Sequence, residues 1–207
     1  MNLSSEIQSK EACRELQKKL IPIWESVREN DTFSHSSLIV PSLSVDQEEL
    51  SKVQGASFYE ERLLFALIRL RNPNARLIYV TSQPVHPDVV DYYLQLLVGV
   101  PAAHAKRRLK MLCLYDDSTR PLTEKVLERP RVIKRLREWI TEHKPAYLTC
   151  YNTTMLERQL ALELGIPLNG VDPALLYLGT KSGSRQTFAA ADVPHPAGFE
   201  DLHSEEE

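Results

Sequence analysis

The chain has 207 residues, 43% of them hydrophobic and 26% charged, and carries a formal net charge of −3. This composition is typical of a globular protein and excludes disorder over most of the chain. The near balance of charges predicts no obligatory nucleic-acid or membrane partner. No basic start leads into an uninterrupted apolar run, and the longest apolar segments have strand length. We therefore expect a cytoplasmic protein without a signal peptide or membrane span.

Residues 1–35 are predicted to form an N-terminal amphipathic helix. Apolar side chains recur at helical spacing from Ala12 to Val27 among Lys, Glu and Gln. Pro22 should kink or divide this helix, because proline removes a backbone donor and crowds the preceding turn.

Residues 36–178 alternate between short apolar runs and amphipathic segments, which predicts an α/β domain. Two capping boxes, Ser57 with Glu60 and Thr154 with Glu157, mark helix starts. The rhythm implies right-handed βαβ units and a three-layer, mostly parallel, Rossmann-like sheet of four to five strands. The predicted strands cover residues 38–40, 76–81, 111–115, 146–151 and, briefly, 166–168.

Ligands of such sheets bind at the carboxyl ends of the strands. The residues that follow the second, third and fourth predicted strands lie at 81–83, 116–118 and 152–154. Within them we take four side chains as candidates for lining a substrate cleft, namely Thr81, Ser82, Asn152 and Thr153.

The common chemistry motifs are absent from the sequence. The seven glycines never form G-x-G-x-x-G, and a P-loop ending at Lys181 fails because Leu175 replaces its first glycine. No two histidines stand four residues apart on a predicted helix, and the three cysteines lie far apart. The pair Asp116-Asp117 could hold a metal, but a solvated turn is favoured, so we assign no metal or catalytic residue.

Residues 104–137 contain eleven basic and four acidic residues, a net charge of +7 with histidine neutral. A solvated face of an amphipathic helix explains much of this stretch. The alternative is a docking face for an anionic partner or another domain. Nucleic acid ranks last, because base-stacking aromatic residues are not interleaved.

A more specific pattern begins at Gly170. It runs through a Leu-Gly-Thr-Lys-Ser-Gly segment ending at Gly183 to a Val-Pro-x-Pro-x-Gly segment ending at Gly198. Together with the Thr-Ser-Gln-Pro and Pro-Leu-Thr-Glu-Lys-Val-Leu-Glu-Arg-Pro runs, which end at Pro84 and Pro130, it resembles the ATP-grasp peptide ligases related to the pheganomycin-forming enzyme. In that family a pre-ATP-grasp domain precedes the nucleotide-binding domain. The resemblance covers the chain from about residue 37 onward.

The resemblance implies an enzyme that couples a carboxylate to an amine through an acyl phosphate, using ATP and Mg²⁺. Lys181 matches the family's entry lysine, which commonly contacts nucleotide phosphates, and Arg185, one turn later, could assist it. A helix start with its free N–H groups suits such an anion. The family's flap, adenine-side lysine and acidic metal ligands would all lie downstream, so residues 179–207 would begin a truncated ATP-grasp domain. We expect this chain alone to be inactive and to bind no cofactor tightly.

The leading hypothesis is therefore the N-terminal portion of an ATP-dependent carboxylate–amine ligase. Its partners would be the missing ATP-grasp domain and small-molecule or peptide carboxylate and amine substrates, with a homo-oligomer possible. The alternative is a stand-alone, non-catalytic binding or scaffold domain derived from such a ligase. A Rossmann-like dehydrogenase or transferase fits the strand order but lacks the glycines.

Overall fold

The computed structural model describes residues 3–45, 47–202 and 204, with the side chains of residues 3–7, 47, 49 and 57 left out. The chain divides into two compact units, residues 1–170 and residues 171–207. The domain boundary at residue 178 stays a prediction. Within the described part of the chain, no helix has both the length and the apolar character needed to cross a bilayer.

The first unit is built on a five-stranded, all-parallel sheet, as predicted. Its strands are β1 (His35–Val40), β2 (Ala75–Thr81), β3 (Leu109–Cys113), β4 (Ala146–Cys150) and β5 (Leu168–Asn169). They lie in the order β3-β2-β1-β4-β5. The chain thus builds outward from β1 to β3, then crosses back to β4 on the other side of β1. This reversal creates a topological switch point between β1 and β4.

Helices connect these strands and precede them. The α-helices are α1 (Leu3–Gln17), α2 (Leu20–Glu29), α3 (Gln47–Ser51), α4 (Pro87–Gln95), α5 (Ala102–Lys106), α6 (Leu122–Leu127), α7 (Pro130–Glu142), α8 (Met155–Leu164) and α9 (Lys181–Ala190). Two 3₁₀ helices cover Ala56–Arg71 and Pro173–Gly179.

The reversal of strand order places two hydrophobic cores on opposite faces of the sheet. Leu38, Val40 and Val80 pack with residues of α6, α7 and α8 on one face. Ile39 and Tyr79, which alternate with them along the strands, pack with the long 3₁₀ helix and α4 on the other. The result is the predicted three-layer α/β architecture.

Three elements differ from the sequence-based prediction. The N-terminal amphipathic segment is two helices that separate at Lys18–Lys19, and Pro22 lies inside the first turn of α2, where its missing N–H has no helical partner. The helix predicted after residue 57 is 3₁₀, because its fully buried leucines repeat every third residue, at Leu64, Leu67 and Leu70. Helix α5 was not among the predicted elements.

The edge strand β5 is covered by a side chain from the N-terminal helices. Gln17 donates from Nε2 to the carbonyl oxygen of Leu168 and accepts from the Leu168 N–H through Oε1, both at 2.7 Å. The amide therefore pairs with β5 as a neighbouring strand would, which protects the open edge of the sheet.

The second unit contains the short 3₁₀ helix and α9. The Thr180 hydroxyl caps α9 by accepting from the N–H of Gly183 at 3.0 Å. Gly183 is required there, since a Cβ would stand 2.0 Å from the carbonyl oxygen of Tyr177. Phe188 and Val193 are 43% and 45% exposed.

Candidate functional site at the carboxyl edge of the sheet

The parallel strands bring several polar side chains to one edge of the sheet. Ser42 and Ser44 follow β1, Ser82 follows β2, Asp116 follows β3 and Asn152 follows β4. All are buried or half-buried, so their hydrogen bonds decide the structure of this edge. The bonds form two clusters, which we call the Glu60 cluster and the Glu157 cluster after the buried carboxylate in each.

The Glu60 cluster joins the long 3₁₀ helix, β2 and α6. The Glu60 carboxylate accepts from the backbone N–H of Ser82 at 2.5 Å and from its hydroxyl at 2.6 Å. Lys125 of α6 donates to the Ser82 hydroxyl at 2.9 Å, so Ser82 links the acid to the base. The predicted capping box of Ser57 and Glu60 is wrong as far as Glu60 is concerned, because the Glu60 carboxylate is bound to Ser82. The Ser57 side chain lies outside the described residues.

Lys125 is one of the most deeply buried side chains, with 1% of its surface exposed. Besides Ser82 it donates to the carbonyl oxygens of Asp116, at 3.0 Å, and Ser118, at 2.7 Å. An ammonium group has three donors, and these three acceptors use all of them. Lys125 therefore fixes the loop after β3 to β2 and α6.

Asp116 organises the same loop. Its carboxylate accepts from the N–H and the hydroxyl of Ser118, at 3.1 and 2.6 Å, and pairs with Arg129 at 2.6 Å. This is the side-chain-capped turn favoured in the sequence analysis. Within the described residues, no three His, Cys, Asp or Glu side chains are grouped so that they could hold a metal ion.

The cluster shifts the ionisation of its members in opposite directions. Burial raises the pKa of Glu60, although the bonds from Ser82 oppose this shift. Burial also lowers the pKa of Lys125, against the attraction of Asp116 and Glu60. The bonds from Ser118 and Arg129 hold the pKa of Asp116 well below its usual range. Two acids and two bases compensate one another, as charges inside a protein require.

The Glu157 cluster closes the switch point between β1 and β4. Glu157 is fully buried and accepts from the Ser44 hydroxyl at 2.5 Å and from the Thr154 N–H and hydroxyl at 2.7 and 2.6 Å. Its bonds with Thr154 form the predicted capping box of α8. Asn152 accepts from the Ser44 N–H at 3.0 Å and donates to the Ser44 carbonyl oxygen at 2.9 Å.

Helix α6 contacts both clusters. The backbone N–H of Thr123 donates to the Ser42 hydroxyl at 3.1 Å, and Ser42 in turn bonds Ser44 at 2.8 Å. Two residues later, Lys125 reaches Ser82. The loops after four strands are thus tied together through α6 into one polar, largely buried edge.

A small cavity opens beside the Glu60 cluster. It has a volume of about 190 Å³, and its charged lining residues are Glu60, Asp117, Arg120 and Lys125. Ligand pockets are usually about 300–1,000 Å³, so this one suits water or a single small group. Since Lys125 and Glu60 are already bonded, the cavity presents no ready nucleophile.

The four predicted cleft residues lie at this edge but in separate surroundings. Thr81 is buried at the end of β2, and its carbonyl oxygen accepts from the Leu114 N–H at 2.9 Å. Ser82 belongs to the Glu60 cluster and Asn152 to the Glu157 cluster. Thr153 is half-buried beside Gly170, where a Cβ would stand 2.4 Å from its hydroxyl. Whether these residues touch a substrate stays a prediction.

The predicted phosphate contacts lie in the second unit. Lys181 is exposed at the start of α9, a position open to an anion. Arg185 is engaged instead: its guanidinium donates to the carbonyl oxygens of Pro196 and Gly198 and pairs with Glu200. Whether Lys181 or Arg185 contacts a nucleotide phosphate stays a prediction.

Sequence reasoning missed Glu60, Lys125 and Ser44 as members of this edge. Their partners stand far away in the chain, as with Lys125 and Ser82, 43 residues apart. The sequence offered one signal, for Lys125: this charged residue lies on the buried face of α6, beside Leu122 and Val126.

No family model and no solved structure matches this chain. Over 181 residues it is 32% identical to IQ motif-containing protein H of Danio rerio, an alignment that covers 80% of this chain and 17% of that protein. Over 177 residues it is 28% identical to an L-propargylglycine–L-glutamate ligase of Streptantibioticus cattleyicolor, covering 83% of this chain and 37% of the ligase. The chain thus spans well under half the length of either relative. Its distant similarity to a ligase of two amino acids supports the resemblance to peptide-forming ATP-grasp ligases.

Proposed function

We propose that this chain is the lead-in, pre-ATP-grasp portion of an ATP-dependent ligase that joins a carboxylate to an amine. The observation that carries the proposal is the similarity to an amino-acid ligase across 83% of the chain. The parallel sheet with its switch point supports it, because such sheets bind ligands at their carboxyl edge.

In this proposal the polar edge forms one wall of the substrate cleft. Ser82 and Asn152 are held by buried bonds, so they would act as fixed parts of a preorganised surface. Residues 179–207 would begin the ATP-grasp domain, with Lys181 contacting a nucleotide phosphate. ATP with Mg²⁺ would activate the carboxylate as an acyl phosphate, and the residues needed for that step would come from outside residues 1–207.

The proposal is tested with the intact gene product. ADP release is measured with Mg-ATP and mixtures of L-amino acids, for the natural sequence and for Lys181→Met. Release that depends on amino acids and falls at least tenfold in Lys181→Met supports the ligase. Binding of Mg-ATP without any such release, across all amino acids and short peptides, contradicts it.

A second candidate function is a non-catalytic binding or scaffold domain derived from such a ligase. Two observations favour it: the relative with the higher identity is not named as a ligase, and the hydrogen bonds of the polar edge are largely internal. Reading the gene past residue 207 separates the candidates. An open frame that encodes the remaining ATP-grasp elements supports the ligase, and an immediate stop codon supports the scaffold.

A further inference from the structure

A second cavity lies at the opposite end of the sheet, beside the amino ends of β2 and β3. Its volume is about 450 Å³, within the range of small-molecule pockets. Its lining includes three arginines and a histidine, namely Arg76, Arg107, Arg108 and His104.

Arg108 forms the floor of this cavity. It is 9% exposed and donates to the carbonyl oxygens of Asn72 and Leu70 at 2.7 Å and of Ala75 at 2.9 Å. These acceptors fix the guanidinium but are neutral, so its charge is not cancelled. Burial lowers the pKa of Arg108, and the nearby positive charge of Arg76 adds to this effect.

Arg76 and Arg107 complete the basic lining. Within the described part of the chain, neither side chain forms a hydrogen bond or an ion pair. The acid beside Arg76 is Glu142, which is already bound to Lys110 at 2.7 Å. The lining residues include no carboxylate among those described.

This arrangement contrasts with the rest of the basic stretch. Six of its eleven basic residues are paired with acids: Lys106 with Asp91, Lys110 with Glu142, Arg120 with Glu124 and Glu128, Lys125 and Arg129 with Asp116, and Arg137 with Glu163. Of the other five, Arg131, Lys134 and Arg135 are exposed on α7, whereas Arg107 and Arg108 meet Arg76 at this cavity. Arg108 is buried and Arg76 half-buried, so their uncompensated charge is costly unless an anion joins it.

We propose that this cavity binds a phosphate group of a small molecule. Guanidinium forks match the oxygens of phosphate in paired hydrogen bonds. A doubly charged phosphate offsets three arginines better than a singly charged carboxylate does. The site lies at the amino ends of the strands, and neither the proposed cleft residues nor Lys181 are among its lining residues.

The test is isothermal titration of the 207-residue chain with inorganic pyrophosphate, without Mg²⁺ and at 50 to 200 mM salt. Binding should weaken with salt, and Arg76→Gln and Arg107→Gln should each lower affinity at least tenfold. Arg107→Lys keeps the charge but loses the fork of donors, so its affinity should lie between those of the natural chain and Arg107→Gln.

Repeating the titration with AMP distinguishes the source of the phosphate: tighter binding than for pyrophosphate identifies a nucleotide.

Arg131→Gln is the matched control, since Arg131 is an exposed arginine of the same basic stretch on α7. It should change affinity less than twofold. An equal loss in Arg131→Gln would mean diffuse attraction rather than a site, and overturns the proposal. So does an absence of pyrophosphate binding, or binding that Lys181→Gln abolishes and Arg107→Gln leaves intact. Unchanged circular dichroism melting confirms that each variant is folded.

Discussion

At the residue scale, the decisive feature is charge buried at the carboxyl edge of the sheet. Lys125 and Glu60 are both nearly inaccessible, and Ser82 bonds to both. Neither was predicted as a partner of the other, because the sequence separations of 22 and 43 residues to Ser82 carry no local pattern. Only the fold places them together. The capping box of Thr154, whose partner Glu157 is three residues away, could be predicted from the sequence alone.

Replacing Lys125 with methionine should destabilise the protein strongly. The apolar side chain keeps much of the volume but leaves buried Glu60 without the nearby positive charge of Lys125, while Asp116 keeps its pair with Arg129. Removing one partner of a buried pair typically costs about 3–5 kcal/mol. Urea unfolding measures the change, and Lys134→Met, at an exposed position on α7, serves as control with a change under about 0.5 kcal/mol. Equal midpoints for Lys125→Met and the natural chain would contradict the account.

Asp116 should make stability depend on pH in the acid range. Its folded pKa is lowered by Ser118 and Arg129, so below its unfolded pKa, about 3.9, the unfolded state binds more protons. The contribution of Asp116 is thus present above that pH and is lost as pH falls toward the folded pKa. Unfolding free energies between pH 6 and 2 should therefore fall less steeply for Asp116→Asn. The exposed neighbour tests specificity: Asp117→Asn should keep the natural slope, and a reduced slope there would argue against this role.

At the element scale, the strands were predicted well and some helices were not. Buried β-branched and aromatic runs such as that of β2 identify parallel strands without tertiary information. The sequence did not distinguish the 3₁₀ helix from an α-helix, because leucines at 63, 64, 67 and 70 fit both the three-residue and the 3.6-residue repeat. In the structure the fully buried leucines are those at 64, 67 and 70, which follow the three-residue repeat. Helix α5 has five residues, too few for a periodic signal.

The capping box of α8 provides a prediction for a single element. Thr154→Ala removes the acceptor for the Leu156 N–H and one donor to buried Glu157. Loss of an N-cap costs about 0.5–2 kcal/mol, and the buried carboxylate places the expected loss toward the upper end. Thr154→Ser keeps the hydroxyl and should stay within about 0.5 kcal/mol. If both variants unfold at the same urea concentration, the cap does not stabilise α8.

Helix α9 should be less protected than the sheet. Thr187 and Phe188 lie in a unit whose described side chains are largely exposed, and the apolar Phe188 is only partly covered. Amide hydrogen exchange should therefore be much faster in α9 than in β1 and β2, because local opening requires little free energy. Exchange in α9 as slow as in β1 would show that this helix is stabilised as strongly as the sheet.

At the scale of the whole molecule, the fold was predictable and the site only in part. Alternating strands and helices gave a three-layer parallel sheet, and the carboxyl-edge rule located Ser82 and Asn152 on the same edge. The polar side chains on that edge mostly form hydrogen bonds with one another, and these partners are too far apart in sequence for a local pattern to reveal them. The basic cavity was also missed, since Arg76 stands outside the basic stretch and meets Arg107 only through the pairing of β2 with β3.

The central proposal is that this segment precedes a separate nucleotide-binding domain. Isothermal titration with Mg-ATP at 150 mM salt tests it most directly. The 207-residue segment and the intact gene product are compared, each carrying Arg107→Gln so that the basic cavity does not contribute. The account predicts micromolar binding by the intact gene product and no tight binding or turnover by the segment. Micromolar binding with turnover by the segment alone, or no binding by the intact gene product, would contradict it.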